Sequence, residues 1–272
     1  MPLPVGTLWA KLSIYRAPCS WLVQKRTAVS IAKAASIPAD DTAAIVLVAG
    51  VLPKELGEAP SGLAVPDKPE GYAIWVDSAK RKAPTVYLAG HDERGALFAV
   101  GRALRLLELR PNKITLASDT RIATAPKDRI RGHQIGYRNT NNTTDAWTVA
   151  QHEQYFRDLI VFGVNAIELI PDFDDKPKGS PHMIMTSEEM NSKLSDVIAS
   201  YGIDVWIWHA LKGNVADAAL ADKELKRSAD VFAKLPHLDA VFLPGGDPGD
   251  TAPQDLMPFL LAVQPRFRGR AE

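Results

Sequence analysis

From Arg129 to Leu243 the chain alternates apolar runs with helix signals four times, and no other feature constrains its fold so tightly. The runs 129–137, 164–170, 203–208 and 238–243 read as strands, the later ones apolar in the manner of buried parallel strands. Thr148 with Gln151, and Thr186 with Glu189, have the spacing of capping boxes, in which each partner satisfies a backbone N–H at a helix start. Gly163 and Gly202 are placed to end those two helices, and a third helix runs from about Asp217 to Leu235. Strict strand–helix alternation with parallel-type strands fits either a doubly wound sheet or part of a (β/α)8 barrel.

The first half of the chain has a different rhythm. Residues 1–40 carry no firm pattern, although 23–35 has a weak helical reading. Ala44–Ala49 is a short β-branched run, 53–69 is a Pro- and Gly-rich loop, and Tyr72–Val76 and Thr85–Ala89 read as strands joined by a turn at 80–84. A helix is expected from Asp92 to Leu109, with Leu97, Val100, Leu104 and Leu107 on one face. Asp92 and Glu93 suit the positive end of its dipole, and Pro111 stops it. Lys113–Ala117 reads as one more strand, and 118–128 as a polar connection. The expected architecture is α/β: a small α/β sandwich over residues 1–125, then a (β/α) unit over 126–272.

Charge and cysteine content narrow the function classes. The 32 basic and 32 acidic residues cancel, so nothing points to nucleic acid or to an anionic membrane as a partner. The longest apolar run, Ala43–Leu52, is too short to span a bilayer. Cys19 is the single cysteine, which leaves no internal disulfide framework and no Cys-rich metal site. No G-x-G-x-x-G or Walker pattern opens a helix after a strand, so no nucleotide or other cofactor is expected. Lys11 and Arg16 interrupt the N-terminal apolar stretch, so no export signal is recognisable. A start that has lost such a signal is the alternative, and the compartment stays open.

In parallel α/β folds of the barrel type, chemistry gathers at the carboxyl ends of the strands. Strand one offers Arg131, His133 and Tyr137; strand two offers Glu168 and then Asp172, Asp174 and Asp175. Strand three offers Trp206, Trp208 and His209, and strand four runs into Gly245-Gly246-Asp247. Aromatic rings stack on the apolar faces of pyranose rings, Arg and Asp hydrogen-bond hydroxyls, and two carboxylates with separated pKa values can share acid and nucleophile or base duty. The candidate catalytic groups are Asp247, Asp172 and Asp174; the candidate sugar-binding groups are Arg131, Tyr137, Glu168, Trp208 and His209. Plainer readings stand beside these. Acidic residues in strand-to-helix loops are commonly solvated caps, Trp206 and Trp208 could be core packing, and Asp247-Pro248-Gly249 could be only a turn.

The segments Glu70-Gly71-Tyr72-Ala73-Ile74 and Val86-Tyr87-Leu88-Ala89-Gly90-His91-Asp92-Glu93-Arg94-Gly95 resemble the domain that precedes the barrel in family 20 β-N-acetylhexosaminidases and in α-glucuronidases. Arg131-Gly132 is similar to the Arg-Gly of strand one in that superfamily, and Gly245-Gly246-Asp247 to its Gly-Gly-Asp-Glu after strand four. The resemblance implies that Arg131 would hold sugar hydroxyls and that Asp247 would orient the substrate. Two positions depart from the pattern: Pro248 replaces the Glu that serves as general acid, and Gly136 lies near an expected Asp. A prolyl residue has no proton to donate, so the substrate-assisted chemistry of hexosaminidases does not carry over.

The stretch 129–272 holds four and a fraction βα units, whereas a closed barrel takes roughly 200–250 residues. The expectation is therefore the first half of a TIM-type barrel, an N-terminal piece of a larger O-glycosyl hydrolase acting on an oligo- or polysaccharide. As an isolated piece it would be weakly active or inactive and would self-associate through open barrel edges. The rival class is a non-catalytic carbohydrate-binding or scaffolding protein.

Overall fold

The computed structural model describes residues 12–15, 30–32, 45–51, 59–60, 62–79, 85–110, 113–136, 142–170, 180–244 and 251–268. The chain divides into two compact units, residues 1–129 with 157–163, and residues 130–156 with 164–272.

The first unit holds β1 (Leu12–Tyr15), β2 (Ser30–Ala32), β3 (Ile45–Val51), β4 (Tyr72–Asp77), β5 (Thr85–Gly90), α1 (Glu93–Leu106), β6 (Glu108–Arg110), β7 (Lys113–Thr115) and β8 (Arg121–Thr124). Six of these strands form one mixed sheet in the order β2-β1-β3-β5-β4-β8, parallel as far as β5 and antiparallel beyond it. The helix α1 lies across β3, β4 and β5, burying Ala96, Leu97, Val100 and Ala103. Ile74, Val86 and Leu88 are the sheet's share of this core, and Trp75 stacks on its register partner Tyr87 at 4.9 Å.

The glycine-rich motif of this unit has a steric explanation. Asp92 caps α1 by accepting from the Gly95 amide at 2.7 Å, and its second oxygen accepts from the Glu70 amide at 2.8 Å. A Cβ at Gly95 would overlap the Gly71 carbonyl oxygen, and one at Gly90 would overlap the Ala96 nitrogen. The helix start can close onto two strand ends only because neither position has a side chain. Glu70 takes a left-handed φ of 60° at this junction, and Arg94 pairs with its carboxylate at 3.6 Å.

Three expectations fail here. Residues 30–32, inside the stretch read as weakly helical, form the strand β2. The helix α1 ends at Leu106 rather than at Leu109, because Leu107 turns extended and leads into the β6–β7 hairpin. The polar connection 118–128 contains β8, an edge strand paired with β4, whose exposed Arg121 and Thr124 hide it from a hydrophobicity reading.

The second unit opens with β9 (Gly132–Gln134), and α2 (Val149–Val161) follows it. It continues with β10 (Ala166–Glu168), α3 (Ser187–Ser200), β11 (Asp204–Trp208), α4 (Ala218–Ala233), β12 (Ala240–Phe242) and α5 (Pro253–Arg268). Its four strands form one wholly parallel sheet in chain order, β9-β10-β11-β12, each neighbouring pair separated by a helix in sequence. This is the expected run of βα units of TIM-barrel type. The four strands and three intervening helices fall inside the stretches read for them, while α5 has no counterpart in that reading.

Both capping boxes form. Gln151 N–H donates to Thr148 Oγ1 and Thr148 N–H to Gln151 Oε1; Glu189 and Thr186 exchange the same pair of bonds. Gly163 and Gly202 stand just past their helices with φ of 94° and 68°, where a side chain would strain the backbone. Asp217 caps α4 by accepting from the Ala219 and Leu220 amides. No helix among the described residues is long and apolar enough to cross a membrane.

Candidate functional site

Register decides which strand residues share a face. Gln134, Glu168, Trp206 and Ala240 are successive register partners across the four strands, and Trp208 pairs with Phe242 one step nearer the carboxyl end. The opposite face carries His133, Ile167, Val205, Ile207 and His209. That second set is the helix-facing one: Ile167, Val205, Ile207 and His209 are at most 1% exposed. Gln134, Glu168, Trp206, Trp208 and Phe242 therefore line the face turned away from the helices, and all five keep some exposure there.

Glu168 and Gln134 are joined directly. The carboxamide Nε2 of Gln134 donates to Glu168 Oε1 at 2.6 Å, across two parallel strands in register. Burial pushes the Glu168 carboxyl above its ordinary range, and the bond from Gln134 pulls only part of the way back. Trp206 is the register partner of Glu168 on the next strand and shares its face.

The chain leaving these strands is held by buried polar groups. After β10, Asn191 of α3 accepts from the Ile170 amide at 3.2 Å and donates to the Ile170 carbonyl at 2.9 Å. After β11, Glu224 of α4 accepts from the Lys212 amide at 3.1 Å and pairs with Arg227 at 2.8 Å, while Arg227 also donates to the Ala210 carbonyl. Burial pushes the Glu224 carboxyl up, but the Arg227 guanidinium and the Lys212 amide outweigh it and leave it below the ordinary range. Thr251 Oγ1 accepts from the Val215 amide and fixes the far side of the same loop.

Glu168 and Trp208 stand on the open face, with Trp206 and Gln134 beside them. His209 does not join them. Its ring is fully buried beneath α4, with Nε2 3.0 Å from Ser228 Oγ and an edge-on contact to Phe232, because residue 209 has the phase of Val205 and Ile207. Arg131 is also displaced from expectation. It precedes β9, and its amide is tied to Asn165 Oδ1 at 2.8 Å, so its backbone lies at the amino end of the sheet while Glu168 is at the carboxyl end. His133, chosen with Arg131 for strand one, faces α2 instead, where its Nε2 meets the Tyr155 hydroxyl at 2.9 Å. Asp247, Asp172, Asp174 and Tyr137 lie outside the described residues, as do Asp175, Gly245, Gly246 and Pro248. Among the described residues no three His, Cys, Asp or Glu side chains are grouped to hold a metal ion.

Gln134 is the group that sequence reasoning missed. The residues named for strand one, Arg131, His133 and Tyr137, are all odd-numbered, whereas β9 presents the even-numbered Gln134 on the face of Glu168.

No protein-family model matches the sequence, and no curated protein matches it. Solved structures do. CpGH84B superposes with a TM-score of 0.61 at 13% identity, over 96% of this chain and 45% of its own. A glycoside hydrolase family 20 β-N-acetylglucosaminidase gives 0.55 at 16% identity, over 97% of this chain and 60% of its own. A GH138 enzyme targeting pectin rhamnogalacturonan II gives 0.54 at 14%, over 95% of this chain and 33% of its own. The chain has a glycosidase-like fold. It spans between one third and three fifths of the length of these structures.

Proposed function

We propose that this chain carries part of the sugar site of an O-glycosyl hydrolase acting on an oligo- or polysaccharide, with Glu168 as a group that holds and delivers a proton. The observation that carries the reading is the Glu168 carboxyl, kept protonated to higher pH by burial at the carboxyl end of a parallel sheet and flanked by Gln134 and Trp206. A general acid in glycoside cleavage must keep its proton near neutral pH until the glycosidic oxygen needs it, and burial is the usual means. Trp206 and Trp208 on the same face offer apolar surfaces for pyranose rings. The resemblance to hexosaminidases and α-glucuronidases, and the glycoside hydrolases that share this fold, support the same class. Asp172, Asp174 and Asp247, in the segments that follow β10 and β12, are the proposed partner carboxylates, with Tyr137 in the sugar-binding set. The proposed boundary between the hexosaminidase-type domain and the barrel unit is near residue 125, the proposed partner is a carbohydrate, and the reading invokes no cofactor.

The test is Glu168→Gln, assayed on a panel of aryl glycosides in this chain and in any longer polypeptide that contains it. Loss of turnover with retained sugar binding supports the reading; unchanged turnover removes Glu168 from it. The second reading, a carbohydrate-binding protein without hydrolysis, is favoured by Pro248 at the acid's position in the resembling families. It predicts saccharide binding with no turnover in the wild type as well.

A further inference from the structure

We propose that Gln134 is the positioning residue of this site: its carboxamide fixes one oxygen of Glu168 and turns the other toward a bound saccharide. The inference rests on reading Glu168 as the proton-holding group. Gln134 and Glu168 are register partners on adjacent parallel strands, so their Cα positions are set by the sheet and not by a mobile loop. The bond from Gln134 Nε2 to Glu168 Oε1 spans 2.6 Å. A carboxyl held at one oxygen loses its freedom to rotate, and Oε2 is left as the atom that can carry the proton. Restricting an acid to one geometry is the kind of positioning that contributes to rate without any change in the acid itself.

The same bond also sets the carboxyl's proton affinity. An N–H donor stabilises the charged carboxylate, so it opposes burial, which favours the neutral acid. Among the described residues, few other charges of the sheet bear on Glu168. On its own face, Asp204 stands one register step toward the amino end and Trp206 is the adjacent partner; Ala240 lies beyond. His133 and His209 belong to the opposite face, directed to α2 and α4. Among these groups Gln134 is the one whose substitution should move Glu168 toward its acid form.

The experiment is a carbon-detected NMR titration of the chain with 13C-labelled glutamate, the Glu168 signal being identified by its loss in Glu168→Gln. Two variants are compared with wild type. Gln134→Met keeps the length of the side chain and removes the donor; Gln134→Ala removes the donor and admits water. Hydration alone would lower the Glu168 midpoint, so a rise in Gln134→Ala can come only from the lost hydrogen bond. The expected result is an upward shift in both variants, with the midpoint of Glu189, a capping-box carboxyl on α3, unchanged as the sign of an intact fold. An unchanged or lowered Glu168 midpoint in Gln134→Ala overturns the proposal. This readout needs no substrate, so a longer polypeptide containing this chain that cleaves no glycoside would refute the proposed activity, while the bond from Gln134 to Glu168 is decided on its own terms. Where turnover is observed, the alkaline limb of the kcat/KM profile should move upward with the NMR midpoint.

Discussion

Asn191 closes both backbone groups of Ile170, accepting from its amide and donating to its carbonyl from a side chain that is 4% exposed. The pair anchors α3 to the first residues beyond β10, where the segment holding Asp172 and Asp174 begins. Asn191→Ala would leave a buried N–H and a buried C=O without these partners, at about 1–3 kcal/mol for each unsatisfied group. Chemical denaturation should show a loss of about 2–4 kcal/mol, and Asn191→Asp should fall between wild type and Ala at low pH and worsen as the new carboxyl ionises against the Ile170 carbonyl. A loss below about 0.5 kcal/mol for Asn191→Ala would mean that water replaces the side chain there.

The Glu168 carboxyl predicts a pH-dependent stability difference with a definite sign. Its folded pKa is raised by burial, so the native state binds more protons than the unfolded state between the ordinary carboxylate range and the raised value. Stability therefore falls as pH rises through that window. Glu168→Gln removes the penalty. Its melting temperature should exceed that of wild type at pH 7–8 and approach it on acidification below the ordinary carboxylate range. A variant less stable than wild type at pH 8 would show that the charged form is better solvated than its burial implies.

His152 works in the opposite sense. Its ring is 1% exposed, Nδ1 lies 3.2 Å from the Thr148 carbonyl oxygen, and Trp147 packs edge-on against it. Burial lowers its pKa from the ordinary 6.5, with the Thr148 carbonyl opposing weakly. The unfolded chain takes up a proton first as pH falls below about 6.5, and stability is lost from there downward. His133 shifts in the same direction and for the same reason. His152→Phe should flatten the decline between pH 6.5 and 5 in thermal melts; an unaltered slope would assign the acid sensitivity elsewhere.

Much of this was legible because the second unit announces its elements locally. Capping boxes at Thr148 and Thr186 and stops at Gly163 and Gly202 need only short-range chemistry, and all four are realised. Strand parity is not local. In β11 the buried Val205 and Ile207 alternate with the partly exposed Asp204, Trp206 and Trp208, but β9 is three residues long, with Gly132, His133 and Gln134 in place of an apolar pattern. Only pairing with β10 tells which side chain faces the helices, so His133 was favoured and Gln134 overlooked. His209 failed for a related reason: a polar residue at a strand end reads as a site residue until the opposing Ser228 and Phe232 are in place. The strand β8 and the helix α5 were missed because one is an exposed edge and the other, starting at Pro253, has its buried Leu256, Phe259 and Val263 interleaved with the exposed apolar Met257 and Leu261.

Within the described residues β9 and β12 are the outer strands of the parallel sheet. Each has one edge without a strand partner among the described residues, and Phe242 on β12 is 50% exposed. Outer strands with apolar side chains pair with other chains, and a lysine on such a strand opposes this. Light scattering after size exclusion should give a mass above that of one chain at micromolar concentrations, and Phe242→Lys should reduce it. A wild-type chain that is monomeric at every concentration tested would show that these edges are already covered.

The contrast between neighbours on β11 offers the sharpest test of the site. Trp208 and His209 are adjacent in sequence and point to opposite faces, the indole half-buried on the open side and the imidazole fully buried against α4. His209→Ala would delete a buried ring, its contact with Phe232 and the partner of Ser228, for about 2–4 kcal/mol of stability. It should leave saccharide affinity unchanged at temperatures where the variant is folded. Trp208→Ala should do the reverse. Removing a partly exposed ring should cost the fold less than removing a fully buried one, whereas an aromatic contact contributes about 1 kcal/mol beyond its area, or roughly fivefold in Kd. Denaturation curves and saccharide titrations on the two variants separate the outcomes. If His209→Ala weakened binding while Trp208→Ala did not, the sugar would lie on the helix side of the strand, and the face lined by Gln134, Glu168 and Trp206 would not be the site.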